Sequence, residues 1–245
     1  MQQYRASYFD TNEGRGENGL GVLEEVKHGL IVSCQALEDE PLHGPLLMAG
    51  MAYAATQGGA QAIRANGGPG ISLIKRITNL AVFGIKKVDA EEGICITPDF
   101  AAAAEVALAG ADAIAVDGRQ QVRRRLVALE ELIPQIQTEL GRIVMVDIKT
   151  VEDAVQAARA GADAIATTWA FRMTSLGAAP DFRLLKDVID AVDIPVIAEG
   201  GYWTPAAACH ALDLGAWAVV VGTAITRPQD ITKRFVQALQ RRSSS

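Results

Sequence analysis

The sequence predicts one α/β domain, a single (β/α)8 TIM barrel with a short N-terminal extension, on three observations. The chain has 245 residues, about the length of one such barrel. The pattern Gly-Ala-x-Ala-(Ile/Val) recurs from Gly59, Gly110, Gly161 and Gly215, at intervals of 51, 51 and 54 residues. Between successive copies lies another apolar, β-branched run: Val82-Phe83-Gly84-Ile85, Ile143-Val144-Met145-Val146 and Val196-Ile197-Ala198, with Leu30-Ile31-Val32-Ser33 before the first. Eight strands with helical patterns in the gaps make the βαβ rhythm of a parallel barrel. No GxGxxG opens a first helix, which argues against a doubly wound open sheet.

In order along the chain, residues 1–21 are polar and lack an apolar period, and read as the N-terminal extension; residues 22–242 are the barrel. Val22 to His28 is a candidate short helix ahead of the first strand. The helices Phe100–Ala109, Val151–Ala160 and Pro205–Leu214 each run into a glycine, the residue that ends helices most cheaply. Thr204-Pro205 supplies a helix cap followed by proline at the first helical position. Ser243–Ser245 reads as a frayed tail, and no linker divides the chain.

Composition narrows the function. Hydrophobic residues make up 49% and aromatics 5%, which suits one core of Ala, Val, Ile and Leu. A net charge of −6 with no basic block argues against nucleic acid and anionic membranes as partners. Cys34, Cys95 and Cys209 lack ligand spacing and read as free thiols. Neither a signal peptide nor an 18-residue apolar run is present, so a soluble cytoplasmic protein is expected. His28 and His210 fall on helices and His43 in a loop, away from strand ends. Arg123-Arg124-Arg125 reads as a solvated helix face, and Trp203 and Trp217 as packing or interface residues. No cluster has metal-ligand spacing; Asp117, Asp147 and Glu199 on three strands leave Mg²⁺ as a lesser alternative.

In a barrel, the C-terminal ends of the strands face the site. Those ends carry Gln35, Arg64, Lys87, Asp117, Asp147, Thr168, Glu199 and Gly222-Thr223. One such residue could be a cap or a rim ion pair, but eight converge on one rim. After Phe83, alternation puts Ile85 and Lys87 on one face and Lys86 on the other, provided the strand has no bulge. A lysine in a partly desolvated mouth has a lowered pKa and can act as a base or form a Schiff base. Asp147 and Glu199 can position it, hold hydroxyls or move protons. The stretch Pro195 to Pro205 ends a strand on Glu199, then places Gly200-Gly201 before a helix start, an arrangement that favours an anion. Gly222 and Arg227 after the last strand complete the phosphate site that barrels build after strands seven and eight.

These residues resemble one family, the N-acylglucosamine-6-phosphate 2-epimerases. The likeness runs from about Gly29 to Val236. It rests on Gly29-Leu30-Ile31-Val32-Ser33-Cys34-Gln35, Ala62-Ile63-Arg64, Gly84-Ile85-Lys86-Lys87, Val196-Ile197-Ala198-Glu199-Gly200, Thr204-Pro205 and Ala218-Val219-Val220-Val221-Gly222 leading to Ala224-Ile225-Thr226-Arg227. The resemblance implies interconversion of N-acetylmannosamine 6-phosphate and N-acetylglucosamine 6-phosphate in sialic-acid breakdown, by a homodimer that needs no cofactor or metal. It implies Lys87 as the catalytic lysine, Glu199 as its acidic partner, Gln35, Arg64 and Asp147 as substrate contacts, and Gly200, Gly222, Thr223 and Arg227 at the phosphate. The family's arginine after Ile-Ala-Glu-Gly is Gly201 here, and Thr167-Thr168 runs into Trp169-Ala170-Phe171-Arg172 rather than Leu-Ser-Gly-Tyr. Arg172 is a candidate to replace that arginine. The competing functions are a class I aldolase using Lys87 on a sugar-acid phosphate, an epimerase of another 6-phosphosugar, and a barrel that binds without turnover.

Overall fold

The computed structural model describes residues 18–90, 93–124, 126–174 and 177–242. The chain runs α1 (Asn18–Glu25), β1 (Leu30–Cys34), α2 (Pro45–Gln57), β2 (Ala62–Asn66), α3 (Gly68–Ile77), β3 (Ala81–Ile85), β4 (Lys87–Ala90), β5 (Gly93–Ile96), α4 (Phe100–Leu108) and β6 (Ala113–Asp117). It continues with α5 (Gln120–Arg123), α6 (Leu129–Gln135), a π-helical turn (Ile136–Leu140), β7 (Ile143–Asp147), α7 (Val151–Arg159), β8 (Ala164–Ala166), β9 (Phe171–Thr174) and β10 (Gly177–Pro180). The last elements are α8 (Phe182–Ala191), β11 (Val196–Glu199), α9 (Pro205–Asp213), β12 (Ala218–Val221), α10 (Thr223–Thr226) and α11 (Pro228–Arg242).

Eight parallel strands close into a barrel in the order β1-β2-β3-β6-β7-β8-β11-β12, and β12 pairs back to β1 with Ile31 opposite Val220. This is the TIM barrel expected from the repeat. Each strand splits its side chains between two cores, as strand alternation requires. Ile31, Ala62, Phe83, Ala115, Met145, Ala166, Ile197 and Val220 fill the inside. Val32, Ile63, Val82, Ile114, Val144, Ile165, Val196 and Val219 pack outward under the helices. Burial on both faces is why these strands read as continuous apolar runs.

The helix caps follow the sequence. Thr204 accepts from the Ala207 N–H, and Thr150 forms a capping box with Asp153. Gly110, Gly161 and Gly215 take φ of 101°, 91° and 102° just past their helices, the left-handed conformation that glycine adopts without strain.

Three features differ from expectation. The first helix starts at Asn18 and ends at Glu25 rather than spanning Val22 to His28. Residues 18–21, expected in the extension, therefore belong to it; residues 1–17 and the serine tail lie outside the described residues. This α1 closes the N-terminal end of the barrel: Leu23 and Val26 join the inner core, and the Trp217 indole N–H donates to the Leu23 carbonyl at 2.7 Å. Secondly, two hairpins rise from the strand ends. In β4–β5, Lys87 lies opposite Ile96, and in β9–β10, Arg172 lies opposite Ala179. Thirdly, α11 buries none of its side chains, and Phe235 and Leu239 remain 67% and 65% exposed.

Candidate active site

The inward parity of the strands carries on past the apolar core into polar side chains. Two residues beyond Ala62, Met145 and Ile197 come Arg64, Asp147 and Glu199, and Thr168 stands two beyond Ala166. These four form one knot under the mouth. The Arg64 guanidinium bonds to Asp147 through Nη2 and to Glu199 through Nη1. Thr168 donates to Asp147 Oδ1 at 2.6 Å and lies 3.2 Å from both Arg64 Nη1 and Glu199 Oε2. Arg64 is not at a strand end as the sequence suggested; it is the third residue of β2 and 1% exposed.

The buried Asp147 and the partly buried Glu199 share one guanidinium, so the knot carries a net negative charge when both are ionised. Burial lifts the Asp147 and Glu199 carboxyls above the usual range against the pull of Arg64. Burial alone would lower the pKa of Arg64, but the two carboxylates hold it above its ordinary value.

Lys86 and Lys87 part as alternation requires. Lys86 reaches outward to Glu105 on α4 at 2.9 Å, while Lys87 faces the cavity. The Lys87 backbone N–H donates to the Asn66 side chain at 2.9 Å, and the β4–β5 hairpin takes over where β3 stops. Burial, then the charges of Arg64 and Arg227, bring the Lys87 amine down to about 8, opposed by Glu199 and Glu40. Roughly a quarter of such amines are neutral at about pH 7.5.

The cavity above has a volume of about 510 Å³ and is lined by Gln35, Arg64, Lys87, Thr168, Glu199, Gly200, Gly201, Gly222, Thr223 and Arg227 among others. Gln35 donates to the Ser33 hydroxyl at 2.8 Å. Gly201 has φ of 78°, and a Cβ there would stand 2.5 Å from the Ala179 carbonyl carbon. The β9–β10 hairpin thus lies directly on this glycine, in the place where a side chain would be. Arg227 pairs with Glu40 at 3.0 Å.

The structure leaves other candidates outside. Asp147 does not line the cavity; it lies beneath Arg64. Asp117 is gripped by Arg119 at 2.7 and 3.0 Å. Arginines therefore already occupy all three carboxylates of the Mg²⁺ alternative. Arg172 is exposed on β9 and absent from the cavity lining, whereas its neighbour Phe171 lines it, so the arginine is not replaced there. Arg123 is buried rather than solvated, donating to the carbonyls of Asp117, Pro98, Thr97 and Val127. Arg125 lies outside the described residues.

Sequence reasoning missed the α11 contribution. Asp230, Lys233, Arg234 and Gln237 line the cavity, and Arg234 stacks 4.0 Å from the centre of the Trp203 ring. Trp203 is thereby a wall of the cavity rather than a packing residue. The spacing of 230, 233, 234 and 237 on one helix face was the available signal.

Residues 48–241 match the family described as "Putative N-acetylmannosamine-6-phosphate epimerase". A protein of Caldanaerobacter subterraneus named "Putative N-acetylmannosamine-6-phosphate 2-epimerase" is 43% identical over 92% of this chain and 97% of its own. One of the same name from Shouchella clausii is 45% identical over 89% of this chain and 99% of its own. The solved N-acetylmannosamine-6-phosphate 2-epimerase of Clostridium perfringens superposes with a TM-score of 0.82 at 42% identity, covering 88% of this chain and 95% of that one.

Proposed function

We propose, from the premise that this chain belongs to the N-acetylmannosamine-6-phosphate epimerase family, that it interconverts N-acetylmannosamine 6-phosphate and N-acetylglucosamine 6-phosphate. The observation that carries the reading is Lys87, an amine brought down to about 8 in a cavity it shares with the Glu199 carboxyl. A base with a substantial neutral fraction near physiological pH, beside a carboxyl that burial keeps protonatable, is the pair a proton shuttle needs.

In the opened sugar, the C2 hydrogen is acidified by the C1 aldehyde. Lys87 Nζ takes that proton, the C2–H electrons form the C1–C2 double bond, and the carbonyl electrons move onto the C1 oxygen. Donors already in place must meet that oxyanion. Gln35 and Arg64 are the candidates, since both line the cavity. Asp147 acts from below by fixing the plane of the guanidinium, and Thr168 offers its hydroxyl to the sugar. Glu199 assists ring opening and returns protons. Backbone N–H groups around Gly200, Gly201, Gly222 and Thr223, with Arg227, take the phosphate. The carbon ends at the oxidation level it began with, so the reaction asks for no redox cofactor.

Proton NMR of N-acetylmannosamine 6-phosphate with the protein in D2O tests the reading. N-acetylglucosamine 6-phosphate should grow with deuterium at C2, and Lys87→Ala should stop both. A C2 proton that persists for hours with excess protein sinks the assignment. Borohydride should trap no adduct at Lys87, as it would in a Schiff-base aldolase.

The same reading makes the protein a cytoplasmic homodimer in which the apolar face of α11, Phe235 with Leu239, meets a second copy. No described helix is long and apolar enough to cross a membrane.

A further inference from the structure

The loop between β1 and α2 carries a carboxylate that neither the fold nor the reaction above uses. Glu40 sits in a tight turn, its N–H donating to the Leu37 carbonyl and its own carbonyl accepting from the His43 N–H, both at 3.0 Å. Its Oε1 lies 3.0 Å from Arg227 Nη2 in an ion pair, and the side chain is 14% exposed. Its Oε2 is buried and has no partner among the described residues. A carboxylate oxygen left in that state opposes folding, and a single contact is the weaker of the two ways a guanidinium meets a carboxylate. Arg227 lines the cavity and Glu40 does not, so Glu40 stands behind the arginine.

We propose that Glu40 is a positioning residue for Arg227, holding its guanidinium through the Oε1 ion pair before phosphate binds and through both oxygens when the guanidinium turns onto a bound phosphate. Oε2 is the acceptor kept for the second bond. This rests on the phosphosugar reading. A carboxylate near an anion weakens binding if it acts only as a charge. One that holds the arginine in place strengthens it, because less side-chain freedom is lost when the phosphate arrives. The two roles therefore have opposite signs.

Glu40 also reaches Lys87 through space. The charged groups facing that amine are Arg64 on β2 and Arg227 beyond α10, which depress its pKa, and Glu199 on β11 and Glu40, which raise it. Neutralising Glu40 therefore lets Lys87 lose its proton at lower pH.

The test compares wild type, Glu40→Gln and Glu40→Asp. The readouts are KM and kcat across pH, and calorimetric titration with inorganic phosphate. In Glu40→Gln, KM and the phosphate Kd should both rise, by roughly tenfold for one charge-assisted bond. The acid limb of kcat/KM should also move to lower pH. Glu40→Asp keeps the charge but is one methylene short of Arg227, so KM should rise while the limb stays where wild type has it. That variant also serves if Glu40→Gln does not fold. Phosphate binding that is unchanged or tighter in the variants overturns the proposal. So does a wild type that binds no phosphate, or a lowered Tm with KM and limb unmoved. If phosphate binding depends on Glu40 but wild type leaves the phosphosugar untouched, the epimerase reading fails and the role of Glu40 stands.

Discussion

At Lys87 one amine is a charge or a base, and pH decides which. Its pKa of about 8 lies well below the ordinary lysine value, chiefly because burial penalises the ammonium form. The neutral fraction grows as pH rises through that value, so kcat/KM should climb on the acid side and level off above about 8. A pH–rate profile of the wild type checks this, and a limb near the ordinary lysine value of about 10.4 would exclude Lys87 as the base. Lys87→Ala should lower kcat by about 10²–10⁴, the usual worth of a positioned base. The choice of Lys87 over Lys86 was legible in the sequence because period two does not depend on partners. The knot around Arg64 was only half legible. Parity aims Arg64, Asp147 and Glu199 inward, but which of them reaches the cavity depends on heights within the barrel, which a single strand does not encode.

At the scale of elements, the eight barrel strands were readable and the two hairpins were not. Strands buried on both faces must be apolar throughout, and that marks them. β9 carries Phe171, Arg172, Met173 and Thr174, all exposed, with no alternation to betray a strand. The hairpin is fixed instead by the close approach of Ala179 to Gly201. Gly201→Arg, which restores the residue expected from the resemblance, should therefore harm this chain. It places a side chain at a φ of 78° against the Ala179 backbone. Strain of about 1–3 kcal/mol is expected, seen as a lower Tm and a higher KM as the hairpin lifts from the cavity. An unchanged Tm with improved KM would show that the hairpin yields freely. The α11 contribution escaped notice for a different reason. A helix after the last strand ordinarily packs on the barrel, and its charged face then reads as solvated.

For the molecule as a whole, α11 is the unfinished part. Fifteen residues with no buried side chain are more than a monomer gains from ordering, since helix stability comes mainly from packing an apolar face. The homodimer should appear in sedimentation as twice the chain mass of 26.0 kDa. Phe235→Asp with Leu239→Asp should return it to one chain mass, and activity should fall with it because Lys233 and Arg234 ride on the same helix. A wild type that sediments as a monomer would refute the interface. The opposite end of the barrel is complete. Leu23 and Val26 stop its floor, pinned by the Trp217 bond. Among the described residues, the cavity that holds Lys87 and Glu199 opens at the mouth and not through this floor. Substrate and product must queue at the same opening, and a departing product clears the way for the next molecule only by passing it. Each sugar phosphate should therefore exclude the other from the free protein. The direction of net flow is set by how far their concentration ratio in the surroundings lies from equilibrium, and one mouth serves both directions.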